Sequence, residues 1–472
     1  MYANGDVYTG VVVAGKAIAD GEGQMQYANK DKYNGQWANG LRLGKGMLIS
    51  CNGDVYRGHF DADVESGHGS KDFANGNSFV GEFHEGKISG AGQMTYKNSD
   101  RFEGRWLSGL RSGPGTLSCA NGDVFEGEFE NDGRVDGKGV LTLANKDVYE
   151  GWLHNGERNG EGKMMYHSGD SYTGLWARNK RHGLGNCVYI NNDSYNGEWA
   201  NDRKEGNGKM TFKNGDVFIG VYQTDRRKPG LATMKYNSGS QYDGQFDLTN
   251  RSGTGTMTYW NGDRFEGQWG RDKPHGNGNL LYTNGDTYCG RFQNGMRVDG
   301  QGTMTYSNGD VYVGSWKGGQ VWVDAQQEWA ASERMDGKGR MTYSNGDVYD
   351  GQWSDNLKQG TGTMKFTNGD NYHGQWHDNH REGRGALSTA EGLKYDGAWA
   401  CDQREGQGSC TYRNGDSYTG QWHNGWQQGS GVLKYANGDQ FDGKWEQNQR
   451  VDGDGEMVFA SKDKYTGQWI QN

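Results

Sequence analysis

A motif of the form Asn-Gly-Asp-x-aromatic-x-Gly-x-aromatic recurs along the chain at a nearly fixed step. That step restricts the possible folds more than any other feature. The clearest copy is Asn345-Gly346-Asp347-Val348-Tyr349-Asp350-Gly351-Gln352-Trp353. Counted from the first aromatic, copies begin at Tyr8, Tyr33, Tyr56, Phe79, Phe102, Phe125, Tyr149, Tyr172, Tyr195, Phe218, Tyr242, Phe265, Tyr288, Tyr312, Tyr349, Tyr372, Tyr395, Tyr418, Phe441 and Tyr465. The step is 23 residues in most places, 24 in a few, 25 at the start and 37 between Tyr312 and Tyr349. A fixed period of this length marks an array of stacked supersecondary units.

Within a unit the residues alternate. Tyr349, Gly351 and Trp353 share one parity, as a strand with one ring-bearing face requires. Gly360, Gly362, Met364 and Phe366 share a parity in the stretch that follows, which predicts a second strand. The Asn-Gly pair reads as the tight hairpin turn. Glycines beside the rings leave room for them, and ring burial of about 150–250 Å² each offsets the weakness of glycine in a strand. Only 32% of the residues are hydrophobic while 83 are glycine and 12% are aromatic, so no large conventional core can form. Each hairpin must bury its ring face against its neighbours.

Asn-Gly-Asp-x-Tyr-x-Gly-x-Trp followed by Gly-x-Gly-x-Met-x-Tyr resembles the membrane occupation and recognition nexus (MORN) repeat, over essentially residues 4–469. The expected fold is all-β. It is an elongated, twisted single-layer antiparallel sheet of stacked hairpins, one continuous array of about twenty units over residues 1–472. The exception is an insertion at 318–333. The resemblance implies a non-catalytic scaffold. Similar arrays occur in radial spoke heads of cilia and flagella, in the cortical cytoskeleton of unicellular eukaryotes and as membrane-contact modules.

The net charge of −10 argues against general attraction to nucleic acid or anionic lipid. No apolar run reaches the length of a membrane span, and no secretory signal precedes Asn4. Six cysteines show no paired spacing, and Cys187 and Cys410 take the Met position of the second strand, which suits a reducing cytoplasm. The expected location is the cytoskeleton, within a ciliary or flagellar axoneme.

Catalytic patterns are missing. The Gly-x-Gly pairs lack the third glycine of a dinucleotide loop and lead into strands. The recurrent aspartates, such as Asp286, Asp310, Asp347 and Asp370, belong to turns. His373, His377 and His380 form the one histidine cluster, and they read as strand and loop residues rather than metal ligands. The expectation is no catalytic residue, no cofactor and no metal.

Three places are candidate contacts. Successive loops carry Arg178, Lys180 and Arg181, then Arg203 and Lys204, then Arg226, Arg227 and Lys228. Acidic neighbours such as Asp202 and Asp225 dilute them. They are either solvated loops or a weak contact for acidic phospholipids, which gives an alternative function as a membrane tether. The insertion, Val321 to Arg334, contains no glycine. Asp324 is placed to cap a short helix near 324–334. Trp322, Asp324, Trp329 and Arg334 then form a partner-binding knob, unless the indoles fold back over the ring face. The terminal strands, with Tyr8 and Val12 at one end and Tyr465 and Trp469 at the other, are open edges suited to self-association.

Overall fold

The computed structural model describes the whole chain except residues 15–17, 135, 299–300, 318–320, 324–327, 331–333 and 471–472. It gives the backbone alone at 301, 321–323, 328–330 and 334. Among the described residues there is no helix. The chain divides into two compact units, Met1–Lys228 and Pro229–Asn472, and each is an open antiparallel sheet of stacked hairpins. Along the sheet of each unit a long strand pairs with the strand before it and the strand after it.

In the second unit, Val348–Ser354 pairs with Leu357–Lys365, which pairs with Asn371–His377, which pairs with His380–Ser388. The register repeats: Tyr349 lies opposite Met364, and Gly351 opposite Gly362. Gly362 in turn lies opposite Gly374. The first unit repeats the same register, with Tyr195 opposite Met210 and Gly197 opposite Gly208. A stripe of glycines therefore runs across each sheet, and the tyrosine rings lie over it. A Cβ on Gly351 would sit 2.5 Å from the Tyr349 hydroxyl and 2.6 Å from Gly362 Cα.

The core is this ring-bearing face. Tyr349 contacts Trp353 of its own hairpin edge-on at 5.0 Å and Trp376 of the next at 5.3 Å, and Tyr372 continues to Trp399 at 5.3 Å. Tyr349, Tyr372 and Tyr395 are buried, as are the tryptophans beside them. Edge-to-face pairs contribute roughly 0.5–1.5 kcal/mol each beyond area burial. The polar tips of this hairpin are satisfied locally. The Tyr349 hydroxyl donates to the Gln352 carbonyl at 2.9 Å, and Trp353 Nε1 donates to the Gly339 carbonyl of the preceding strand at 3.1 Å.

The two turns exchange the roles read from the sequence. The two-residue turns lie after the tryptophan strand, where Arg178 and Asn179 have φ of 48° and 66° and Asp378 and Asn379 have 47° and 73°. Both central residues are left-handed there, as a type I′ turn requires. At Asn345-Gly346 only the glycine is left-handed, with φ 88°. Gly346 N–H donates to the Tyr343 carbonyl and Tyr343 N–H to the Asp347 carbonyl, so this is the longer loop with a bulge glycine. The recurrent aspartates stitch these loops together: Asp347 Oδ1 accepts from Thr367 N–H at 2.8 Å, and Asp370 Oδ1 from Ala390 N–H at 2.9 Å.

The 24-residue steps also have a structural cause. In a 23-residue unit the second strand, such as Glu157–Met165, is continuous and absorbs one bulge opposite Gly151 and Leu153. One further residue breaks that strand in two, giving Gly133–Arg134 with Gly137–Thr142 and Gln449–Arg450 with Gly453–Val458.

The expected helical insertion is corrected. Val321–Val323 and Glu328–Ala330 form an antiparallel pair with Trp322 opposite Trp329, and Arg334 opens the strand Arg334–Thr342. Valine and tryptophan favour strands. A helix of two or three turns with no partner cannot offset the cost of nucleation. Asp324 lies outside the described residues.

Candidate interaction surface

The basic residues of the first unit separate into two sets. Arg181, Lys204 and Arg227 turn onto the ring face. The Arg181 guanidinium lies 4.2 Å from the Trp199 ring centre, its Nε is 3.3 Å from Asp202 Oδ1, and its Nη2 donates to the Asp202 carbonyl at 2.8 Å. Lys204 lies 5.5 Å from the Tyr195 ring, and burial lowers its ammonium below the ordinary lysine range. Arg227 sits 4.1 Å over Phe218. Arg178, Lys180, Arg203, Arg226 and Lys228 are exposed at the turn ends of three successive hairpins.

The inward cations are part of the architecture, whereas the sequence leaves Arg181, Lys204 and Arg227 as either solvated loop residues or a weak contact for acidic phospholipids. Arg42, Arg111, Arg181, Arg251 and Arg381 each pair with an aspartate in the turn of the following hairpin, namely Asp63, Asp132, Asp202, Asp272 and Asp402. Each therefore ties one hairpin to the next through a ring stack and a carboxylate together. The signal available was the fixed 21-residue offset between arginine and aspartate.

At the chain ends, Val7–Val12 pairs only with Ala19–Gln26 and Lys464–Trp469 only with Gly453–Val458 among the described residues. Tyr8 reaches Trp37 at 5.5 Å and Trp469 reaches Phe441 at 5.2 Å, while Val12 and Tyr465 are about half exposed. Trp322 and Trp329 are register partners in the backbone of their short strand pair.

The three histidines are separately engaged. His373 bonds Thr363 Oγ1, His377 bonds Gln359 Oε1, and His380 Nδ1 lies 2.6 Å from Asp402 Oδ2. Among the described residues no three ligating side chains converge as a metal site. All six cysteines are free; Cys187 and Cys410 are buried, and burial pushes both thiols up.

A ladder of hairpins joined by shared rings, with no continuous core beneath it, defines a structural repeat protein whose function lies in its surfaces. The MORN repeat family matches sixteen segments: 33–55, 56–78, 79–101, 102–124, 125–148, 149–171, 172–194, 195–217, 242–264, 265–287, 288–311, 334–348, 349–371, 372–393, 395–417 and 418–440. The chain belongs to that family.

No curated protein matches the chain. Among solved structures, the TCP domain of Drosophila melanogaster SAS-4 (dCPAP), in complex with a proline-rich motif of Ana2 (dSTIL), is similar at 16% identity. That match covers 36% of this chain and 85% of that one, with a TM-score of 0.22. The TCP10 domain of Danio rerio CPAP, in complex with a peptide of Danio rerio STIL, is similar at 13% identity over 60% of this chain and 96% of that one, with a TM-score of 0.13. A streptogramin B lyase follows at 12% identity over 73% and 94%, with a TM-score of 0.11. Scores this low give the likenesses no weight for function.

Proposed function

We propose that the chain is a non-catalytic scaffold that positions partner proteins in a cytoskeletal assembly, of the radial spoke head kind in a ciliary or flagellar axoneme. The observation that carries the reading is the repeated register. An aromatic ring opposite methionine or leucine and glycine opposite glycine recur in most hairpins, so equivalent turns are presented at nearly constant intervals along each ring ladder. Such a surface suits the placing of other proteins at set separations. The test is fractionation of a tagged chain expressed in a ciliated cell. Retention in the detergent-insoluble axoneme is expected, and a wholly detergent-soluble chain overturns the axonemal placement.

A second reading has its own observation. Arg178, Lys180, Arg203, Arg226 and Lys228 are exposed on successive hairpin turns and suit the phosphates of an acidic phospholipid surface. Screening reduces such contacts at physiological salt, where the Debye length is about 8 Å. Flotation with phosphatidylserine vesicles at low salt is expected to carry the chain upward, and serine at all five positions to prevent it. Binding that survives those substitutions removes this reading.

A further inference from the structure

In the second unit most second strands open with a cation, and Arg251 and Lys358 show how the fold encloses it. Arg251 lies 5.8, 5.7 and 4.8 Å from the rings of Tyr236, Tyr242 and Trp269, and its Nε is 3.2 Å from the Asp272 carboxylate. Lys358 is similarly placed among Tyr343, Tyr349 and Trp376. Arg404 occupies the equivalent place, 5.8 Å from Tyr395 and 4.2 Å from Trp422. Its surroundings differ at three positions.

The residue fifteen places earlier, a tyrosine before Arg251, Arg297, Lys358 and Arg450, is Thr389. The turn opposite ends in Gly425 rather than aspartate, so Arg404 Nη2 donates to a bare glycine carbonyl at 2.7 Å. The loop aspartate is replaced by Leu393. Together these changes leave a cavity of about 450 Å³ bounded by Leu387, Thr389, Leu393, Arg404, Gly425 and Trp426. Trp426 is 52% exposed at its rim. The one carboxylate on the wall, Asp402, is already held by Arg381 and His380.

We propose that this cavity docks an acidic, aromatic peptide segment of a partner protein. One aromatic side chain enters the space that Thr389 leaves, and a neighbouring aspartate or glutamate pairs with Arg404. Complementarity fixes the chemistry: compared with Arg251, the site lacks one ring and one carboxylate, and such a segment supplies both. Guanidinium pairs with carboxylates through two parallel hydrogen bonds and stacks on ring faces. A basic segment would instead bring like charge against Arg404. The inference rests on the protein-scaffold reading and narrows it to a site and a ligand class.

The test uses the full chain at physiological salt and fluorescence anisotropy with a labelled octapeptide carrying one phenylalanine between two aspartates. Two controls replace the aspartates with lysine or the phenylalanine with alanine. Saturable binding of the first peptide is expected, with both controls weaker by about tenfold or more. Thr389→Tyr and Gly425→Asp give this hairpin the residues that stand at the equivalent places around Arg251, Tyr236 and Asp272. The equivalent turn already holds Asp402 at φ 67°, so the fold should be undisturbed, which circular dichroism checks. The double variant is expected to lose about tenfold or more in affinity, and Arg404→Gln to act in the same direction. No saturable binding, equal binding of the lysine peptide, or unchanged binding by a folded double variant overturns the proposal. None of these results bears on the axonemal fractionation, so the two readings fail separately.

Discussion

At the scale of the residue, glycine does the work usually done by apolar side chains. Gly351 has extended backbone, so its requirement is steric, with the Tyr349 hydroxyl 2.5 Å from where a Cβ would sit. Gly351→Ala is expected to cost about 3 kcal/mol, the upper part of the range for overpacking, read as a lower urea midpoint at unchanged slope. Tyr349→Leu removes the obstruction, so the double variant should cost less than the sum of the two single changes. This much was legible in the sequence, because rings and glycines share a parity. The partners of the charged residues were not. Arg181 and the exposed Arg178 sit three positions apart in one basic cluster, and only the strand parity after the turn sends one onto Trp199 and the other into water. Glu65 and Lys71 form a largely buried ion pair at 2.9 Å where other hairpins place arginine and a methionine or leucine, an exchange visible only once the register is known.

At the scale of the element, the hairpin is set by its two turns, and these were the least legible part. Asn-Gly is the strongest short-range sign of a type I′ turn, yet that geometry falls at the other end, on pairs such as Ala62-Asp63 with φ of 44° and 74°. The reason lies in loop length. Three residues between Tyr343 and Asp347 need one left-handed residue, which Gly346 supplies, whereas the two-residue turns need two. Ala62 pays the usual penalty of a non-glycine residue in left-handed backbone. Ala62→Asn is expected to stabilise the first unit by about 0.5–1 kcal/mol, measured as an increase in urea midpoint. The insertion was misread for a related reason. Its alanine, glutamine and glutamate suggest helix, but the flanking Val321-Trp322-Val323 pairs with Glu328–Ala330 before any helix can gain a partner.

At the scale of the whole molecule, the many tyrosines buried on the ring faces link stability to alkaline pH. Burial pushes the Tyr33, Tyr149 and Tyr418 hydroxyls up to about 12, against an ordinary value near 10. The folded chain therefore holds these protons more tightly than the unfolded chain. Their contribution is complete below about pH 10 and is lost as the pH rises through 12. Urea midpoints are expected to fall steadily across that window, with phenolate absorbance appearing together with the loss of far-ultraviolet circular dichroism. Phenolate absorbance that develops fully while the sheet persists would show that the rings are not enclosed as described.

The glycine stripe has a consequence for how such a chain changes length over generations. Around Tyr349 successive strands meet through the same Gly–Gly and Tyr–Met register, so the junction left by removing one whole period there is a junction the chain already contains. Deleting residues 349–371 sets Tyr372 opposite Met341 and Gly374 opposite Gly339, and the shortened chain is expected to fold with its melting temperature little changed. Deleting only 349–360 inverts a strand against its neighbour and should abolish cooperative melting. Unequal recombination in units of 23 codons is therefore tolerated here by geometry, and the gene can grow or shrink by whole hairpins without passing through an unfolded ancestor.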